Sequence, residues 1–189
     1  MLTVAAFAVL IAAAAAYLST QRKAVAIAGK DYAKMHSRPS QHGLYSALWV
    51  FLAGMGVLLV LSIAGTSIIE AMLTADITAA APEFRRIETQ LTLSDAKAMV
   101  RGDVASRTDP LRELIAARFA TLEFWRITVT LALTAAAAWV AFTRTFGSVS
   151  MEFRARNRAE GFIRGLLWSS AALAILTTVG IIASLLGET

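Results

Sequence analysis

An all-α integral membrane protein, with four transmembrane helices and a small helical loop domain between the second and third, is the fold this sequence predicts. Three observations carry that expectation. Four uncharged apolar stretches, at 1–20, 44–69, 127–143 and 165–187, are each about long enough to cross a hydrocarbon core roughly 30 Å thick. The loops between them alternate in charge. Finally, 57% of the 189 residues are hydrophobic and 16% charged, which leaves no room for a separate soluble domain of ordinary size.

The first stretch is rich in alanine, as the core of a cleavable signal peptide would be. A signal peptide carries its positive charge before the apolar run, whereas the first basic residue here, Arg22, follows it. A retained helix is therefore expected. The second stretch, 44–69, would be about 39 Å long at 1.5 Å per residue, so it has to tilt or end among headgroups. Tyr45 and Trp49 sit near its basic end, where amphipathic rings favour the interface, and Gly54 and Gly56 would let another helix approach closely.

The third stretch is short, but a helical pattern precedes it. Asp109 is a good N-cap, and Pro110 suits the first helical position because its missing N–H has no partner there anyway. Leu111, Leu114, Ile115, Phe119 and Leu122 recur at three- and four-residue spacing. One helix from Pro110 to about Phe146 is predicted, its outer third burying that stripe against the rest of loop 70–126. A further helix is expected over 91–100, with Thr92 or Ser94 as cap and Gly102 as stop. Charges of mixed sign (Glu83, Arg85, Arg86, Glu88, Asp95, Lys97, Arg101) read as a solvated face with weak ion pairs. A small anion pocket using Arg85 and Arg86 is the alternative.

Orientation follows from the loops. Loop 21–42 carries Arg22, Lys23, Lys30, Lys34 and Arg38 against Asp31 alone, and loop 144–164 carries Arg144, Arg154, Arg156, Arg158 and Arg164 against Glu152 and Glu160. Loop 70–126 holds eight basic and nine acidic residues. Short basic loops stay cytoplasmic, which places both termini and the middle loop outside, with Ser37 and Ser148 inside and Ser106 outside. Ten of the eighteen basic residues thus flank membrane spans, so lipid headgroups, not nucleic acid, are the expected partner of the net +5 charge.

No catalytic constellation is apparent. His36 and His42 are the two histidines, with Pro39 between them, and their spacing matches no common metal motif, so both are expected to be interfacial and solvated. There is no cysteine and no Walker-type phosphate loop. The spans carry no ionisable residue of the kind that marks an ion pathway. Their polar groups are hydroxyls (Ser62, Thr66, Ser67, Thr128, Thr130, Thr134, Ser169, Ser170, Thr177, Thr178, Ser184), suited to hydrogen bonds between helices. No enzyme, cofactor or metal site is expected.

From Phe153 the chain reads Phe-Arg-Ala-Arg-Asn-Arg-Ala-Glu-Gly-Phe-Ile-Arg-Gly, and from Ala174 it reads Ala-Ile-Leu-Thr-Thr-Val-Gly-Ile-Ile-Ala-Ser-Leu-Leu. The Arg154–Arg158 segment and the 175–181 run resemble the long-N-terminus form of PstC, the permease-subunit family of bacterial phosphate ABC transporters. His36-Ser-Arg-Pro39 and Gly43-Leu-Tyr-Ser-Ala-Leu-Trp49 are similar to that family's N-terminal extension. The resemblance implies a multi-pass protein of the bacterial inner membrane, so that the outer side on which the loop charges place the middle loop domain and both termini is the periplasm. It divides the chain into an N-terminal membrane extension, 1–152, and a basic cytoplasmic segment with the first helix of the permease core, 153–189. The remaining core helices would lie beyond Thr189, so an N-terminal piece of the permease is expected, inactive alone. The implied partners are a second permease subunit, a cytoplasmic ATPase that hydrolyses ATP, and a periplasmic phosphate-binding protein. The competing reading is a free-standing four-helix inner-membrane sensing or interaction protein.

Overall fold

The computed structural model describes residues 2–29, 35–103 and 109–187. They form five helices: α1 (Leu2–Ala28), α2 (Pro39–Ala80), α3 (Arg86–Arg101), α4 (Pro110–Gly147) and α5 (Ala155–Gly187). No strand occurs among the described residues. All but α3 are long and apolar enough to cross a membrane, so the chain is an all-α protein with four candidate spans.

The helices overrun the apolar stretches that mark them. α2 has 42 residues and α4 has 38, about 63 and 57 Å against a core of roughly 30 Å. Beyond Ile69, where the sequence suggests a loop, α2 continues to Ala80, because Leu73 and Ile77 extend its apolar face one turn at a time. α1 likewise runs through Arg22 and Lys23 to Ala28. Gly29, at φ +55°, ends it by returning its N–H to Val25 O at 3.1 Å. α5 begins at Ala155, ten residues ahead of its apolar run.

The chain divides into two compact units, to both of which α1, α2 and α4 contribute. The first comprises Met1–Val9 and Leu52–Ala138. Its core joins Ile69, Leu73 and Ile77 of α2, Ala96 of α3 and Ile115 and Ala116 of α4, with Leu93, Leu111, Phe119 and Leu122 packed around them. The α4 stripe thus faces this core as expected, with Ile115 buried and Leu111, Phe119 and Leu122 half-buried, and with one exception: Leu114 is 63% exposed. At about 100° per residue, Leu111, Ile115, Phe119 and Leu122 fall within about 80° of one another, whereas Leu114 points about 60° beyond the edge of that face. Gly54 receives α1: a Cβ there would lie 2.9 Å from Val9 Cγ1. Gly56 meets nothing within 4 Å, so it serves no close approach.

α3 starts five residues earlier than 91. Its entry is set by Glu88, whose carboxylate accepts the Arg85 backbone N–H at 2.7 Å, the half of a capping box that reaches back over the first turn. Neither proposed cap serves as one. The Ser94 hydroxyl donates to Leu91 O at 2.9 Å, and Thr92 is buried among the packed helices. The stop is as predicted: Gly102, at φ +78°, sends its N–H to Met99 O while Asp103 N–H reaches Ala98 O at 2.9 Å.

The second unit comprises Leu10–Phe51 and Trp139–Thr189. Here α1 and α2 meet at Gly43, where a Cβ would lie 2.8 Å from Tyr17 O. α2 and α4 are joined by Ser46 and Thr145, whose hydroxyls are 2.8 Å apart and buried. That is a hydrogen bond between helices that sequence reading did not single out. Among the hydroxyls it did, Thr66, Ser67, Thr128, Ser169, Ser170, Thr177 and Thr178 instead donate to the carbonyl four residues back in their own helix. A carbonyl one turn back is commonly within reach, so it captures such a hydroxyl unless a neighbour presents a better acceptor.

Candidate functional site

Two regions carry polar chemistry. The first is the helical domain built by the end of α2, α3 and the start of α4. Asp109 opens α4: its Oδ1 accepts the Arg112 N–H at 2.9 Å, and its Oδ2 accepts from the Arg112 guanidinium. The backbone N–H of Arg112, then the guanidinium, hold the Asp109 carboxyl below the usual carboxylate range. Arg112 also donates Nε to Asp95 Oδ2 of α3 at 2.9 Å. Asp95 and Arg112 are 4% and 7% exposed, so Asp95 is not part of a solvated face. Sequence spacing cannot show this, because the pairing is made across two helices. Around it lie more exposed pairs, Lys97–Glu70 at 2.5 Å and Arg118–Asp76 at 3.4 Å. Arg85 and Arg86 are exposed.

The second region belongs to the second unit, which contains the eight described residues among the ten basic residues singled out from the sequence. Lys30 and Lys34 lie outside the described residues, as does Ser106 of the middle loop. Arg22, Arg38, Arg144, Arg154, Arg156, Arg158 and Arg164 are exposed. Lys23 is half-buried: its Nζ donates to Phe146 O at 2.5 Å and stands 4.2 Å from the centre of the Phe146 ring. Arg158 stacks over Phe153 at 4.9 Å, and Arg156 pairs with Glu160 at 2.6 Å one turn on.

An aromatic cluster underlies these charges. His42, Tyr45 and Trp49 share one face of α2, at three- and four-residue spacing. Phe153 packs on His42 and Tyr45 at 5.7 and 5.3 Å, and Phe162 packs on Trp49 at 5.7 Å. His42 is therefore buried rather than solvated, at 2% exposure. It falls in the first turn of α2, and Phe153 covers it. The segment between α4 and α5 is tied down as well, since His36 N–H donates to Met151 O at 3.1 Å and Arg156 N–H to the buried Ser37 Oγ at 3.3 Å. The 42, 45, 49 spacing was the available signal for this cluster.

The base of α5 is thereby pinned, while the rest of it is bare. Every residue over 163–185 is exposed. None of its most apolar stretch is buried, against 22% for α1 and 17% each for α2 and α4. Ser169, Ser170, Thr177 and Thr178 have their hydroxyls satisfied within the helix, so this surface suits an apolar environment or another apolar helix.

Four helices long and apolar enough to cross a membrane, with a charged helical domain and an anchored but uncovered last span, give the chain the architecture of a multi-pass membrane protein. The chain belongs to the family described as phosphate ATP-binding cassette transporter, whose model matches residues 6–177. No curated protein and no solved structure matches it.

Proposed function

We propose that this chain is the membrane-spanning N-terminal part of a phosphate ABC transporter permease, with a structural and docking role in phosphate import. The observation that carries the reading is α5, pinned at its base and exposed along 163–185, within a chain whose family match extends to residue 177. On this reading residues 1–152 are an extension and 153–189 enter the permease core, where α5 meets further helices of the transporter. The basic residues of the second unit face the cytoplasm of a bacterial inner membrane and anchor it to anionic headgroups, with the α3 domain and both termini in the periplasm. The chain is a non-catalytic subunit. A partner ATPase hydrolyses ATP, a second permease subunit completes the pathway, and a periplasmic phosphate-binding protein meets the α3 domain.

Photocrosslinking in cells that contain the whole transporter tests this. A benzophenone side chain at Leu176 or Ile181 should give adducts with transporter permease helices, and one at Ile87, exposed on α3, should capture the phosphate-binding protein. Adducts from Leu176 and Ile181 with lipid alone would remove the docking role.

A further inference from the structure

Within the first unit, two cavities meet at the level where apolar side chains give way to charged ones. One, of 420 Å³, is walled by Ile69 and Phe119 and by the charged groups Glu70, Lys97, Arg101, Glu123 and Arg126. The other, of 380 Å³, is a groove between α1, α2 and α4 whose walls include Leu2, Ala8, Leu58 and Leu131. Thr66 and Arg126 line both, so the charged cavity and the apolar groove adjoin at Arg126. Each volume is that of a small-molecule site.

Arg126 is held at this junction from two sides. Its Nε and one terminal nitrogen grip the Glu123 carboxylate at 2.7 and 2.5 Å. Its stem crosses α2 at Gly65, where a Cβ would lie 3.0 Å from both Cγ and Cδ. The guanidinium still has donors beyond those used on Glu123. In the charged cavity Glu70 pairs with Lys97 and Glu123 with Arg126, which leaves the charge of Arg101 uncancelled. Three cations against two carboxylates amount to one net positive charge, the complement of one phosphodiester.

We propose that this junction binds a single anionic glycerophospholipid, its phosphodiester at Arg126 and Arg101 and one acyl chain in the groove between α1, α2 and α4. A free phosphate ion shares the headgroup chemistry, but it would leave the groove without an occupant. An acyl chain fills the groove with van der Waals contacts that a free ion cannot make.

Native mass spectrometry of the purified full chain, offered phosphatidylglycerol and phosphatidylcholine in equal amounts, tests the site. Wild-type protein should retain one phosphatidylglycerol in preference to phosphatidylcholine, and an excess of inorganic phosphate should not displace it. Arg126→Gln should lower occupancy about tenfold or more, the scale of a lost hydrogen bond to a charged group. Ala8→Trp, which fills the groove at an exposed position and leaves every charge in place, should lower it as well. The wild-type preference requires no variant to fold. Equal retention of the two lipids by wild-type protein, or wild-type occupancy in both variants, would overturn the proposal. Displacement by inorganic phosphate, with phosphate binding intact in Ala8→Trp, would assign the site to a free anion and overturn the lipid reading.

Discussion

Replacing Arg112 with methionine should open the α3 domain while leaving the membrane helices in place. The side chain joins Asp95 on α3 to Asp109 at the head of α4, and the Asp95 and Arg112 side chains are only 5% and 9% exposed. Methionine fills much of the same volume, so the loss is chiefly electrostatic: the buried Asp95 carboxylate loses its bond to the Arg112 guanidinium. Breaking a buried pair from one side costs about 3–5 kcal/mol. At about 1.4 kcal/mol per factor of ten, amides of Arg86–Arg101 should exchange faster by roughly two to three and a half orders of magnitude. Amides over 127–143 provide the internal control. The double variant Asp95→Leu, Arg112→Met removes both charges together and should restore most of the protection, because an apolar pair needs no compensation. Acceleration below tenfold in the single variant, or no recovery in the double, would refute the assignment of this pair as the tie between α3 and α4.

Asp109→Ala should remove the α4 cap at a cost of about 0.5–2 kcal/mol, seen as faster exchange over 111–122 with membrane insertion unchanged. Because the folded-state Asp109 carboxyl is held low, first by the Arg112 N–H, its stabilising contribution is complete above the ordinary carboxylate range and disappears as pH falls through the lowered value. In wild-type protein the first turn of α4 should therefore loosen in acid, and in Asp109→Ala that acid response should be absent. Gly43→Ala should lower the melting temperature in detergent, since its Cβ would meet the Tyr17 backbone oxygen at 2.8 Å, while Gly56→Ala, with open space around it, should be neutral or stabilising. For orientation, Ser37 is buried, so single cysteines at the exposed Ser40 and Ser150 and at the exposed Gln90 of α3 are the better probes. An impermeant thiol reagent applied to intact, outer-permeabilised cells should label position 90 and spare 40 and 150, and the reverse pattern would invert the proposed topology.

Sequence alone determined that this is a helical membrane protein of the phosphate transporter family with four candidate spans, and that one of them is a single long helix beginning at Pro110. Those features are local. A run of some twenty apolar residues, an Asp-Pro start and a Gly stop act through the backbone and the solvent, whatever the partner. The tertiary structure decided which of many similar residues meet. Of two neighbouring glycines only Gly54 admits a helix. Of many hydroxyls in the chain, Ser46 and Thr145 reach each other across two helices. Asp95 sits in an alternating charge pattern that reads as a solvated face, yet it is buried, because Arg112 reaches it from α4, seventeen residues away. Arg126 lies at the edge of an apolar stretch that a topology rule reads only as a boundary, and it becomes the hinge of two cavities because Gly65 on another helix leaves room for its stem. Periodicity specifies which face of a helix is apolar, but the partner that face meets depends on distances set by the whole packing.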